Sequence, residues 1–260
     1  MNPATSTKIS LSEARALSGT PSTLQCLDAI AVVRSFQPRQ EVCRQGQIAN
    51  TWYCVLSGAA SCFVIKSDGR RQIVDLLFPG DFFGFAPATE YDYTVEAVLP
   101  DTMIAGYSRK RVEAMADSNP LLTREVCQLT FERLSRLQQQ LLIVGHVRVQ
   151  QKIGAFILAM ADRLPGGASD RVTLPISRYD IADYLAVSVE TVSRALSGLK
   201  QRGLIRFGGT RVIQVIDRHA LEDGTHGKFP VKPATFTTPA TSHRSPARFA
   251  KTASRIASAK

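Results

Sequence analysis

In the stretch LAVSVETVSRAL, residues 185–196, Glu190, Ser193 and Arg194 stand three and four positions apart. That spacing puts them on one strip of a helix. The three side chains suit base edges in a DNA major groove. An Arg makes paired hydrogen bonds to guanine O6 and N7, a Glu accepts from cytosine N4, and a Ser reaches a base or sits near a thymine methyl. The same spacing also fits an intrahelical Glu190–Arg194 salt bridge on a solvated face, worth about 0.3–0.5 kcal/mol. The two can coexist, because such a pair would hold the Arg in one pose. Arg178, Ser188, Thr191, Lys200, Arg202, Arg206 and Arg211 form a basic and hydroxyl-bearing rim suited to phosphates. Phosphate contacts position a protein without specifying sequence. Each of these residues taken alone is better explained as surface solvation; it is as a set that they form a rim.

No other residue set suggests chemistry. His146, His219, His226 and His243 are scattered, and no nucleophile–base pair or paired carboxylates stand out. The protein is therefore not expected to be an enzyme. Cys26, Cys43, Cys54, Cys62 and Cys127 include no CxxC pair, and no HExxH or His-x-His cluster supplements them. Zinc and iron–sulfur sites need closely spaced ligands, so no metal and no cofactor is expected. The cysteines read as buried packing residues, with a redox-sensing thiol as the alternative.

The strip needs a helix-turn-helix to present it. Ser177 with Asp180 gives a capping-box-like start to a short helix over 178–185. Ala186 and Val187 form the turn. Ser188 caps a second helix over 189–201 that stops at Arg202-Gly203. Ile181, Leu185, Val187, Val192 and Leu196 form the inner contact, and small Ala182 lets the helices cross closely. Two short strands around Gly208-Gly209 add a hairpin, which makes a winged helix-turn-helix. Glu190, Ser193 and Arg194 fall in the first half of the second helix, the part that reaches base edges.

Upstream, the pattern differs. Residues 24–36 read as an amphipathic helix. Glycines at 46, 58, 69 and 80 recur about every eleven residues between the strand-like runs WYCVLSG, ASCFVIK and RQIVDLLF. Strands continue through YTVEAVLP and TMIAGYS, and Asp68-Gly69 marks a hairpin. Evenly spaced short strands with glycine turns indicate a sandwich or roll. A short helix is expected over 109–115 and a long one over 121–144. In the long helix Leu134, Leu137, Leu141 and Val144 repeat at three, four, three, led by Phe131. This coiled-coil-like seam predicts a dimer interface. Packing against the helix's own domain is the alternative, but the stripe is longer than one small roll can cover. The fold class is α+β, with a flexible arm over 1–22, a β-roll over 23–115, a dimerisation helix over 116–146, the winged domain over 147–222 and a tail over 223–260.

The 260 residues carry a net charge of +10 and a pI near 9.7, which favours a polyanionic partner such as double-stranded DNA. Residues 222–260 alone contribute +5. They are rich in Pro, Ser, Thr and Ala, and are expected to be disordered. Such a tail either grips phosphates without sequence preference or is merely solvated. No run of about 18 apolar residues exists, so no membrane span is expected. The N-terminus lacks the charged-then-apolar order of a signal peptide, so a cytoplasmic location without disulfides is expected.

The segment ISRYDIADYLAVSVETVSRALSGLKQRGLI, residues 176–205, is very close to the DNA-binding signature of the Fnr/FixK branch of the Crp/Fnr superfamily. PGDFFGF and the glycines before it look like that family's β-roll, of the cyclic-nucleotide-binding type, and residues 109–144 look like its dimerisation helix. The resemblance spans residues 24 to about 221. It implies a homodimeric transcription regulator, expected to be an activator, that recruits RNA polymerase. The E-x-x-S-R pattern implies TTGAT half-sites, arranged as TTGA-N6-TCAA or similar. The family's nucleotide-binding members carry a Glu where Phe85 stands here, and an Arg-Ser pair where Tyr91-Asp92 stands. No Arg is left for a cyclic phosphate. The oxygen-sensing members carry an N-terminal cysteine cluster and one more cysteine in the roll. Here only Cys26 lies in the N-terminal region and DTMIAGYS has none, so no iron–sulfur cluster is expected. Ala186 replaces the family's usual Gly in the turn, at up to about 1 kcal/mol if that position needs positive φ. The expectation is a FixK-like regulator of low-oxygen, respiratory or nitrogen metabolism. The alternative is an effector-gated relative whose roll binds a small ligand or haem.

Overall fold

The computed structural model describes residues 22–85, 89–164, 171–209 and 211–224. These all lie in one compact unit, while most of the basic tail and the arm over 1–21 fall outside the described residues. The described residues open with a 3-10 helix, Ser22–Ile30, followed by strand β1, Ala31–Phe36. This corrects the expected helix over 24–36. Val32 and Val33 lie in a run that pairs antiparallel with β8, Thr102–Ser108, from Ala31 opposite Tyr107 to Phe36 opposite Thr102. A β-branched pair facing an available strand outweighs a helical apolar spacing.

Two four-stranded sheets make the roll. One has the order β1-β8-β3-β6, with β3 at Thr51–Ser57 and β6 at Phe82–Phe83. The other has the order β2-β7-β4-β5, with β2 at Glu41–Cys43, β7 at Thr94–Ala97, β4 at Ala60–Ile65 and β5 at Arg71–Leu77. Both sheets contribute to a core that includes Val55, Ala60, Cys62, Leu77, Phe83, Tyr91, Val95 and Ile104. Gly58 is required between β3 and β4. Its φ is +84°, and a Cβ there would sit 2.5 Å from Thr102 Oγ1 and 2.9 Å from Thr102 Cα.

Helix α1, Arg109–Ser118, leads into α2, Pro120–Gly145. Asn119 divides them: its side chain accepts hydrogen bonds from the backbone N–H groups of Leu121 and Leu122, and Pro120 takes the first helical position, where no N–H is needed. Helix α3, Val149–Arg163, is buried along most of its length and joins the two halves. One contiguous apolar cluster runs from Ile73, Leu76 and Phe78 of the roll through Ile153, Phe156, Ile157 and Met160 of α3 to Ile181, Leu185, Val192 and Leu196. Helices α4, Arg178–Leu185, and α5, Val189–Gln201, have the bounds the capping residues predict. Strands β10, Ile205–Phe207, and β11, Val212–Val215, form the expected hairpin. A third strand, β9 at Arg171–Thr173, extends it to the order β10-β11-β9. The chain continues into α6, Arg218–Gly224, so residues 223 and 224 belong to a helix and not to the tail.

Candidate nucleic-acid interface

Local chemistry sets α4 and α5. The Ser177 hydroxyl accepts from the Asp180 N–H at 3.2 Å, and the Ser177 N–H donates to the Asp180 carboxylate at 2.9 Å, a complete capping box. Ala186 closes α4 in the left-handed region, with φ +54° and ψ +47°. Ser188 caps α5 by accepting from the Thr191 N–H at 3.2 Å. The inward side of α5 buries Val192, Ala195, Leu196 and Leu199. Ile181, Ala182 and Leu185 are buried against it and Val187 is half-buried, as the spacing predicts.

On the opposite side Glu190 and Arg194 are exposed and Ser193 is half-buried. The alternative that the spacing also fits, a Glu190–Arg194 salt bridge, is absent among the described residues. The Glu190 carboxyl instead turns toward the start of its own helix. Its own backbone N–H and the Ser188 hydroxyl hold it below the usual carboxylate range, with a smaller pull from Arg194. This is the favourable end of the helix dipole for an acid. Arg194 is left pointing its donors at solvent from the first half of the helix.

The structure brings part of the predicted rim together. Arg178, Ser188, Lys200, Arg202, Arg206 and Arg211 are exposed, and Thr191 is half-buried. Phe207 of the wing organises two of them. Arg178 lies 5.9 Å and Lys200 5.8 Å from its ring centroid, both within cation–π range. Arg178 also donates to the Ser193 hydroxyl at 3.5 Å. The aromatic spacer in the wing was invisible in the sequence, because its role depends on residues far from it in the chain.

Helix α2 has two distinct faces. One faces the rest of the chain: Leu122, Gln140 and Ile143 are buried, and the Arg133 guanidinium stacks 4.8 Å above the Tyr93 ring. The other carries Phe131 at 56 %, Leu134 at 50 % and Leu141 at 71 % exposure, with Leu137 exposed and Val144 half-buried. The stripe is therefore not the face that packs on its own domain. Cys127 is exposed near its head.

Tyrosines fill the roll interior. Tyr91 is buried, and its hydroxyl donates to the Thr51 carbonyl at 2.6 Å. The buried Tyr93 hydroxyl accepts from the Gly84 N–H at 2.9 Å and from Arg133 at 3.1 Å. Burial pushes the Tyr93 phenol up to about 12, against the pull of Arg133. Phe85 packs edge-on against Trp52 with centroids 4.8 Å apart. Gly84 is held at φ +91° because a Cβ would meet the Thr51 carbonyl at 2.7 Å. Cys43, Cys54 and Cys62 are buried. Burial raises the Cys43 thiol to about 12 and the Cys62 thiol well above its ordinary value, which suits packing and not thiolate chemistry. Among the described residues no cluster of three metal-ligating side chains forms, and no helix is long and apolar enough to cross a membrane.

Comparison with known proteins finds two family matches in the chain. Residues 33–119 match the cyclic nucleotide-binding domain and residues 151–223 the Crp-like helix-turn-helix domain. The chain is 35 % identical over 190 residues to the nitrogen fixation regulation protein FixK of Rhizobium meliloti, covering 73 % of this chain and 85 % of that protein. It is 31 % identical over 200 residues to the transcriptional activator protein FnrL of Cereibacter sphaeroides, covering 75 % and 80 %. The solved structure of FixK2 from Bradyrhizobium japonicum superposes with a TM-score of 0.70 at 32 % identity, over 75 % of this chain and 96 % of that one. These relatives are regulators and not enzymes. The chain belongs to the Crp/Fnr family of DNA-binding transcription regulators, and within it is FixK-like.

Proposed function

We propose that the protein is a transcription activator that binds, as a homodimer and without a bound effector, two-fold-symmetric DNA sites built from TTGAT half-sites. The observation that carries this reading is the strip at the front of α5, where Glu190 and Arg194 are exposed and Arg178 reaches Ser193. We assign phosphate contacts to Arg178, Ser188, Thr191, Lys200, Arg202, Arg206 and Arg211. Arg194 reads the guanine, Glu190 accepts from the cytosine of the opposite strand, and Ser193 faces a base or thymine methyl. The rim binds phosphates and fixes register. The name of the FixK relative supports a programme of nitrogen metabolism, and that of the FnrL relative supports activation. A cytoplasmic location, a role in respiratory metabolism and RNA polymerase as the recruited partner complete the proposal.

The apolar face of α2 supports the dimer. Phe131, Leu134, Leu137, Leu141 and Val144 run along one side of a 26-residue helix whose other side is already occupied. Fully burying such side chains is worth about 1.5–3 kcal/mol each. A two-fold pairing of these helices places two copies of α5 for successive major grooves. Tyr91 and Tyr93, packed into the roll, favour the effector-free reading over one in which the roll takes a small ligand or haem.

Selection of bound sequences from random duplex DNA by the pure full-length protein, with nothing added, tests the proposal. The expected result is enrichment of TTGA-N6-TCAA. Enrichment only in the presence of a cell extract would favour the effector-gated reading, and no enrichment of any palindrome would overturn the proposal.

A further inference from the structure

Strand β5 contacts three later helices, α2, α3 and α4. The Ile73 carbonyl accepts from Gln140 of α2 at 2.9 Å. The Asp75 carboxylate lies 3.9 Å from Arg136 of α2 and 3.6 Å from Arg163 of α3. At the start of the strand, Arg71 and Gln72 grip α4. One guanidinium nitrogen of Arg71 stands 3.1 Å from Asp180 and 3.4 Å from Asp183. The other meets Glu96 at 2.5 Å and the Ser61 hydroxyl at 2.8 Å. The guanidinium plane lies 4.2 Å from the Phe63 ring centroid. Gln72 donates to the Asp183 carbonyl at 2.6 Å and the Tyr184 carbonyl at 3.3 Å, in the last turn of α4 where carbonyls lack helical partners.

Arg71 thus joins three roll residues to two acids of α4, and its side chain is only 23 % exposed. A planar fork fixed by this many partners has little freedom. The grip takes α4 on its Asp180 and Asp183 side and at its C-terminal end. Glu190 and Arg194 of α5 remain exposed while it is closed. We propose that Arg71 and Gln72 are positioning residues for DNA reading: they lock the helix-turn-helix at one angle to the dimerisation helix, so that two copies engage half-sites at one spacing. The inference rests on the dimeric reading proposed above, and it assigns to the roll a part in DNA recognition that involves no ligand.

The sign of one substitution separates this role from simple electrostatics. Asp183→Ala removes a negative charge from a DNA-binding domain, which by charge alone strengthens DNA binding. A positioning role requires the opposite. With full-length protein and a fluorescent duplex carrying the selected palindrome, Asp183→Ala and Arg71→Gln are each expected to bind at least about tenfold more weakly, about 1.4 kcal/mol. Each should also discriminate less against the same palindrome with its centre lengthened by one base pair. The salt dependence of Arg71→Gln should match the unsubstituted protein, because no phosphate contact is lost. Gln72→Ala, which keeps every charge, is a milder change of the same direction should Arg71→Gln fold poorly. Asp183→Ala binding as tightly as the parent or more tightly overturns the proposal, as does a salt slope for Arg71→Gln reduced by about one. If the parent binds no palindrome, the dimeric reading fails and the grip is read by amide hydrogen exchange in the free protein. Faster exchange across α4 in Gln72→Ala then supports the lock, and unchanged exchange removes it.

Discussion

The hydroxyl of Tyr91 donates a 2.6 Å hydrogen bond to the carbonyl of Thr51, from a ring that is 2 % exposed inside the roll. The same hydroxyl accepts from the Thr51 N–H at 3.3 Å. The Tyr91 side chain therefore ties two parts of the roll together. Tyr91→Phe leaves both Thr51 groups short of a partner and should cost about 1–3 kcal/mol, measured by chemical denaturation. Adding cyclic AMP should leave the thermal midpoint of the parent protein unchanged, whereas a ligand binding the folded state raises it by mass action.

Arg194 is expected to carry guanine recognition. Arg194→Ala should lose about 1–3 kcal/mol of binding to the preferred site and bind guanine-substituted sites nearly as well, in competition gel shifts. Retained preference at that base would remove the assigned role. Lys200→Ala should instead weaken all sequences alike and lower the salt slope by about one.

The exposed face of α2 predicts the oligomeric state. Leu141→Glu places a charge in the seam, and sedimentation should show a monomer at concentrations where the parent is a dimer. Because Leu141 is 71 % exposed in the single chain, far-ultraviolet circular dichroism should not change. Cys127 lies one heptad before Leu134, so in a parallel two-fold pair it faces its own copy. Diamide, which takes up the two hydrogens released by two thiols, should give a covalent dimer that Cys127→Ser abolishes.

Ala186 sits at φ +54° with its side chain exposed, so its methyl gains nothing from packing while its backbone is strained. Ala186→Gly should stabilise the fold by about 1 kcal/mol, a rise of about 2–4 °C in the thermal midpoint. An unchanged midpoint would mean that the turn carries no such strain.

The helix-turn-helix was legible because its signals are local. Ser177, Asp180, Ser188 and Gly203 mark helix ends within a few residues of where they act, and burial of Val192 and Leu196 follows from spacing alone. The start of the chain was not. Residues 24–36 carry apolar side chains compatible with either period, and the choice is made by β8, about seventy residues away. The base-reading strip could be found from three letters, yet the orientation of Glu190 could not, since the helix end competes with Arg194 for its carboxylate. Arg71 and Asp180 are 109 positions apart, and neither residue's local sequence names the other.

The grip of β5 also bears on how portable the DNA-binding half is. A cut near residue 146 looks natural from the sequence, but it parts Asp180 and Asp183 from their arginine and strips the Asp183 and Tyr184 carbonyls of their glutamine. A chimera that grafts these last helices onto another roll inherits acids without their counter-charge unless the recipient strand also begins Arg-Gln. The smallest transferable unit is therefore the winged domain together with strands β4, β5 and β7, since Glu96 of β7 also holds Arg71.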